Sequence, residues 1–253
     1  MKIIKSMIVA FSMYSKIPMP RFEWDSEDMK YHLIFFPWVG AVIGCLEYLL
    51  LLVFEKYHIP QYAFGALAMV IPLVITGGFH VDGFMDTEDA LSSWKTKEER
   101  LEILKDPHIG AFSVIHLAMI GLVLFASLCV MDEKGFAGWC FSFFIARALS
   151  GICVVKAKKA KADGLLHTEA KTAGENVVCF FLVVELLGCM AFEIIINPLC
   201  ALLQGIVALV MTVVYLWGAN KNFGGVTGDL AGWFVVVTEV VMAAAVGAGC
   251  VFL

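Results

Sequence analysis

Charge is what this sequence has least of. Only 16% of its 253 residues are Asp, Glu, Lys or Arg, against 60% hydrophobic, and the mean hydropathy is +0.85. That balance excludes a water-soluble domain and points to a membrane protein. The net charge of -5 then says little about partners, because in a membrane protein the placement of Lys and Arg between loops carries the information. No C-x-x-C occurs among the eight cysteines, and nearly all lie in apolar runs, so they read as small buried side chains and not as a metal site or disulfide framework. Lys2 and Lys5 precede a short apolar run, Met7 to Met13, but no small-residue cleavage site follows, and no signal peptide is read. There is also no second domain, no low-complexity linker and no duplicated half of the kind found in transporters. Residues 1–253 read as one integral-membrane catalytic domain.

What is present is apolar length. Seven stretches, about 33–54, 62–77, 109–131, 136–156, 177–196, 199–217 and 232–253, are long enough, or nearly so, to cross roughly 30 Å of hydrocarbon. The second is short and carries Pro72, which predicts a kink or tilt. The expected fold is all-α, a polytopic membrane helix bundle of about seven transmembrane helices with interfacial and cytoplasmic helical segments. Fifteen Lys and Arg fall in alternate connections: Lys2, Lys5, Lys16, Arg21 and Lys30; Lys95, Lys97, Arg100 and Lys105; Lys156, Lys158, Lys159, Lys161 and Lys171; and Lys221. The other side has Lys56 and Lys134 only, so the basic side is expected to be cytoplasmic and the membrane the cell's inner one. Gly40 and Gly44 in the first span have the spacing for close helix approach, more readily within the chain than between copies. The segment before that span, with Pro18 and Pro20, is expected to lie along the interface and wall the site.

Polar chemistry concentrates in two places on that side. Gly77-Gly78-Phe79-His80-Val81-Asp82-Gly83-Phe84-Met85-Asp86-Thr87-Glu88-Asp89 packs four carboxylates into eight residues. A helix starting near Asp82 stacks Asp82, Asp86 and Asp89 on one face, with Glu88 turned away. Like charges so arranged repel unless a divalent cation sits among them, and Mg²⁺ suits oxygen donors shared with substrate phosphate. A solvated acidic helix start is the plainer alternative. His80, close to the acids, is a candidate base, phosphate donor or metal neighbour; His32, His58, His116 and His167 have no such company. The second cluster, Asn222-Phe223-Gly224-Gly225-Val226-Thr227-Gly228-Asp229, offers backbone amides to an anion and places Asp229 at a helix start. It lacks the Gly-Lys-Ser/Thr ending of a P-loop, so ordinary nucleotide-hydrolase chemistry is not indicated; Asp229 is a candidate cap or metal ligand, and a flexible turn capped by Asp229 is the plain reading. Between them Lys95 to Lys105 reads as an exposed charged helix, and Lys105, Asp106 and His108 are candidates to meet phosphate, unless Lys105 only serves the charge bias.

Arg147, Glu47, Glu185, Glu193 and Glu239 fall within spans, where ionisable groups are functional by default. Glu193 is near enough to a span end to snorkel. Arg147 and Glu239 are expected to line the substrate cavity, as a pair.

Assembled, these residues resemble the cobalamin synthase family, the adenosylcobinamide-GDP ribazoletransferases. The match is sharpest at Gly77-Gly78-Phe79-His80 and Asp82-Gly83 to Asp89, a glycine pair, histidine and DG-x-x-D-T-x-D signature, and it extends to Ile17-Pro18-Met19-Pro20, Lys105-Asp106, Ile109-Gly110-Ala111-Phe112 and Gly224 to Asp229 with Glu239. Ala90 stands where glycine is frequent and His108 where arginine is frequent, so little phosphate role carries over to His108. The resemblance implies transfer of α-ribazole, or its 5′-phosphate, onto adenosylcobinamide-GDP with loss of GMP, a Mg²⁺ requirement, small-molecule substrates at the lipid bilayer and no nucleic acid; a homo-oligomer is left open. The expected roles are metal binding by Asp82, Asp86 and Asp89, proton transfer by His80 or Asp229, and phosphate or substrate contacts by Lys105, Asp106, Gly224, Gly225, Thr227, Gly228, Arg147 and Glu239. A secondary transporter or divalent-cation carrier is the competing class, and a phosphotransferase acting from CDP on lipid alcohols a third, though the Ala-Arg step expected after its DG pair is missing where Asp86-Thr87 intervenes.

Overall fold

A computed structural model describes residues 2–25, 28–160 and 174–253. Lys161, His167 and Lys171 lie outside the described residues. The described chain is all-α. Helices α1 (Lys2–Tyr14), α2 (Phe36–Tyr57, led in by a 3-10 turn at Met29–Phe35), α3 (Gln61–Ala68), α4 (Val70–Thr76), α5 (Phe79–Ser92) and α6 (Lys97–Ile103) make the first half. The second half holds α7 (Ala111–Val130), α8 (Glu133–Trp139), α9 (Ser142–Lys156), α10 (Glu175–Ile196), α11 (Pro198–Phe223) and α12 (Gly228–Phe252). Among the described residues the β pairing is one isolated bridge, Lys159 to Val226.

Six helical runs are long and apolar enough to cross a membrane, Met29–Tyr57, Ala111–Val130, Glu133–Lys156, Glu175–Ile196, Pro198–Phe223 and Gly228–Phe252, which makes this a multi-pass membrane protein. The second expected span is the one that departs from a simple rod. Pro72 has no amide to bond back to Ala68, and the run breaks there into α3 and α4. It then stops at Gly77 and Gly78, whose φ angles of +66° and +79° are left-handed, and α5 leaves at 97° to the preceding helices. α5 therefore does not continue the crossing, and its acids lie outside the spans. It starts at Phe79, three residues before the start read from the acids.

α12 is the hub, packing on α5, α7, α9 and α11, with Phe234, Met242, Ala243 and Val246 buried. Gly40 and Gly44 let α2 close onto the backbone carbonyls of Phe143 and Cys140 in the α9 region, so this small-residue pair serves packing within the chain. Outward-facing Leu122, Leu187 and Leu209 remain exposed on α7, α10 and α11, as befits surfaces that meet lipid.

At one end of the bundle the connections are tied together. Lys97 Nζ donates to the Asn220 carbonyl at 3.1 Å and Arg100 Nη1 to Asn222 Oδ1 at 2.7 Å, joining α6 to the end of α11. Val226 N–H donates to the Lys158 carbonyl at 2.8 Å and Ala160 N–H to the Val226 carbonyl at 3.1 Å, joining the segment after α9 to the glycine turn. α5 packs there too, against the start of α12. The acidic stretch, the glycine turn and the basic connections thus share one face, as their alternation between spans requires.

Candidate active site

Two glycines hold the acids against the glycine turn. A Cβ at Gly83 would stand 2.8 Å from the Asp229 carbonyl oxygen and 3.0 Å from its Cα, and one at Gly232 would stand 3.1 Å from the His80 carbonyl oxygen. With hydrogen at both positions α5 and α12 meet backbone to backbone. Residues more than 140 positions apart are thereby brought to one corner.

Asp82 is exposed there and Asp86 half-buried. Burial, then the charges of Asp82, Asp229 and Asp89 in falling order, push the Asp86 carboxyl up to about 6. Asp229 therefore presses on Asp86 harder than Asp89 does. Asp89 is engaged elsewhere. Its Oδ2 accepts from Gly110 N–H at 2.6 Å and its Oδ1 from Ser113 N–H at 3.0 Å. Both oxygens cap the first turn of α7, whose N-cap, Gly110, has no side chain to do so. The stack on one face loses its third member to α7, and the Asp229 charge from the start of α12 also acts on Asp86.

Among the described residues no group of three His, Cys, Asp or Glu side chains is set to hold a metal ion as it stands. The donor chemistry nonetheless fits Mg²⁺, which is bound through one or two carboxylates plus substrate phosphates more often than in an all-protein cage. Asp82 and Asp86 supply two hard oxygen donors crowded by like charge, and among the described residues neither has an ion-pair partner.

His80 is not on this face. It lies two residues, about 200°, around α5 from Asp82 and is buried between Phe36 and Phe79, ring centroids 5.5 and 5.4 Å away. Its Nε2 is buried without a hydrogen-bond partner, and burial together with the Arg147 charge keeps its pKa well below the usual value. His80 therefore does not join Asp82 and Asp86 on their face of α5 and packs among aromatic rings in this structure. Glu88 does turn away from the acids: Trp233 Nε1 donates to its Oε1 at 2.6 Å, and His116 Nδ1 lies 2.7 Å from its Oε2. It fastens α5 to α12 and α7.

The glycine turn is corrected in part. Gly224 N–H donates to the Asn220 carbonyl, Gly225 N–H to that of Ala219, both at 3.2 Å, and Val226 N–H to Lys158, so these amides are taken. Gly224, φ +79°, ends α11, and Gly225 leaves room for the Lys158–Ala160 backbone. Thr227 is the N-cap of α12, its hydroxyl accepting from Leu230 N–H at 3.2 Å. Gly228 is exposed and Asp229 half-buried at that helix start, where anions are favoured.

Lys105 and Asp106 stand apart. Lys105 Nζ pairs with Glu102 at 2.7 Å on the surface, and Asp106 accepts from His108 N–H at 3.0 Å and faces His108 Nδ1 at 2.6 Å, bonds that hold its carboxyl below the usual range. Arg147 and Glu239 do pair, at 2.5 Å, with Arg147 also donating to the Phe143 carbonyl at 2.8 Å. Arg147 is 1% exposed, however, so the pair fastens α9 to α12 inside the bundle and does not line an open cavity. Glu193 does not snorkel either: it is fully buried, accepting from Gln204 Nε2 at 2.5 Å.

The comparisons bear on what this corner belongs to. The model of the family described as Cobalamin-5-phosphate synthase matches residues 6–247. The chain belongs to that family. A relative in Lachnoclostridium phytofermentans named adenosylcobinamide-GDP ribazoletransferase is 39% identical, covering 97% of this chain and 94% of its own. One of the same name in Clostridium perfringens is 33% identical over 93% and 94%, and one in Klebsiella pneumoniae 27% identical over 93% and 96%. No solved structure matches. As a cobalamin-5-phosphate synthase family member the chain is a transferase, and the transporter reading has no support among these relatives. Residues the sequence did not single out at the corner are Gly83 as a packing surface and Glu88 with Trp233 and His116. A glycine inside a helix, which lowers helix propensity, was the available signal for the first; Trp233 and His116 gave none, because their partner lies on another helix.

Proposed function

We propose that the protein joins α-ribazole, or its 5′-phosphate, to adenosylcobinamide-GDP and releases GMP, giving adenosylcobalamin or its 5′-phosphate, at the cytoplasmic face of the inner membrane. The observation that carries the reading is the glycine-built contact that sets α5, with Asp82 and Asp86, backbone to backbone against the start of α12 at Asp229. A ribose hydroxyl oxygen of the ribazole other than the 5′ one, which the 5′-phosphate form carries esterified, attacks the cobinamide-bearing phosphorus. A new P–O bond forms as the bond from that phosphorus to the bridging oxygen breaks, and GMP departs with the electron pair. Asp82 and Asp86 would hold Mg²⁺, which would neutralise charge on the diphosphate and on the departing oxygen. Asp229 takes the hydroxyl proton. The start of α12 at Gly228 faces phosphate oxygens.

Purified protein in detergent, with no membrane gradient, is expected to form GMP and cobalamin product in equal amounts only when both substrates and Mg²⁺ are present. Asp82→Ala is expected to abolish turnover and leave membrane insertion intact. Activity that needs sealed vesicles, or an active Asp82→Ala protein with the normal Mg²⁺ requirement, would overturn the assignment.

A further inference from the structure

Beside Asp82 a groove of about 710 Å³ runs between the end of α1 and the α4–α5 bend, within the size range of small-molecule sites. One wall is Ser12, Met13 and Lys16, the floor Gly77 and Gly78, and the other wall the first turn of α5 with Asp82. Lys16 is built into it. Its N–H donates to the Ile75 carbonyl at 2.7 Å. Its stem lies over Gly77, where a Cβ would meet Lys16 Cγ at 2.8 Å and Cδ at 3.1 Å. Its ammonium stays exposed and makes no ion pair with Asp82 across the groove.

A cation and a carboxylate lining one groove, with no ion pair between them, complement a ligand carrying both a divalent cation and negative oxygens. A diphosphate ester with its metal is such a ligand; a bare anion would be repelled by Asp82, and a bare cation by Lys16. We infer that this groove binds the diphosphate of the corrinoid substrate, with the Lys16 ammonium on its phosphate oxygens. The inference rests on the proposed function and adds a binding residue and a location to it.

The test is equilibrium dialysis of the purified protein in detergent with Mg²⁺, following the visible absorbance of adenosylcobinamide-GDP. Lys16→Met is expected to weaken its Kd about tenfold or more, Lys16→Arg to restore it to within about threefold, and the Kd of α-ribazole to stay put. Unchanged corrinoid affinity in a Lys16→Met protein with the wild-type thermal midpoint would overturn the inference, as would equal loss for both ligands. Should that variant not survive purification, acetylation of Lys16 in the wild-type protein decides: adenosylcobinamide-GDP is expected to protect it, and absence of protection refutes the site. A wild-type protein that turns over both substrates with Lys16→Met unaffected sinks the groove alone; one that neither binds nor converts the corrinoid sinks the proposed function.

Discussion

Gly83→Ala adds one methyl group at the contact that assembles the corner. The nearest atoms are the Asp229 carbonyl oxygen at 2.8 Å, its Cα at 3.0 Å and its carbonyl carbon at 3.3 Å. All three are backbone, so no rotamer relieves them, and ordinary contact begins at 3.4 Å. α5 must move from the start of α12 by about 0.6 Å. Overpacking of this kind costs roughly 1–3 kcal/mol, and a misplacement near 1 Å can cost about a hundredfold in rate. We expect a loss of about 10- to 100-fold in GMP release by the detergent-purified enzyme and a lower thermal midpoint. Gly232→Ala, whose nearest clash is the His80 carbonyl oxygen at 3.1 Å, should lose less than about tenfold. Gly218→Ala, with no atom within 4 Å, should stay within about twofold. A fully active Gly83→Ala, or three variants that fail alike, would refute the argument that this glycine contact positions the acids.

Asp89→Ala should remove the α7 cap and lower stability by about 1–2 kcal/mol, seen as a thermal midpoint shift. Its apparent Mg²⁺ affinity should change less than about threefold, unlike that of Asp86→Ala. The raised pKa of Asp86, about 6, sets a pH limb. The carboxylate is charged above that value, so activity at subsaturating Mg²⁺ should fall as pH drops below it and recover with added Mg²⁺. Arg147→Met leaves Glu239 buried without its partner and should cost about 3–5 kcal/mol, with Arg147→Met/Glu239→Gln recovering part of it; the KM values of whatever folds should be unchanged, since neither side chain reaches the groove.

The fold was legible where chemistry is local. Apolar length placed the spans and Pro72 marked the break in the second, whereas the bend at Gly77-Gly78, two consecutive left-handed residues, was not read from the sequence. The corner was legible only in outline. Spacing on a helix put Asp82, Asp86 and Asp89 together, yet Asp89 is turned by α7, a helix whose start it caps and whose position no local pattern reveals. His80 looked like a member because it is two residues from Asp82, but two residues are half a turn, and the far face is core. Gly224 and Gly225 looked like anion ligands because glycine frees the backbone; their amides serve a neighbouring carbonyl instead. Arg147 and Glu239 were rightly paired, and wrongly placed in a cavity, because cost in the membrane identifies a partner and not a solvent path.

The most direct measurement uses Mn²⁺ in place of Mg²⁺, read by electron paramagnetic resonance on purified protein with adenosylcobinamide-GDP present. Wild-type protein should show a bound, immobilised Mn²⁺ signal that is lost together with turnover in Asp86→Asn, while the variant keeps its fold. An Asp86→Asn protein that binds Mn²⁺ and releases GMP as the wild type does would contradict the claim that the acids where α5 meets α12 are the catalytic centre.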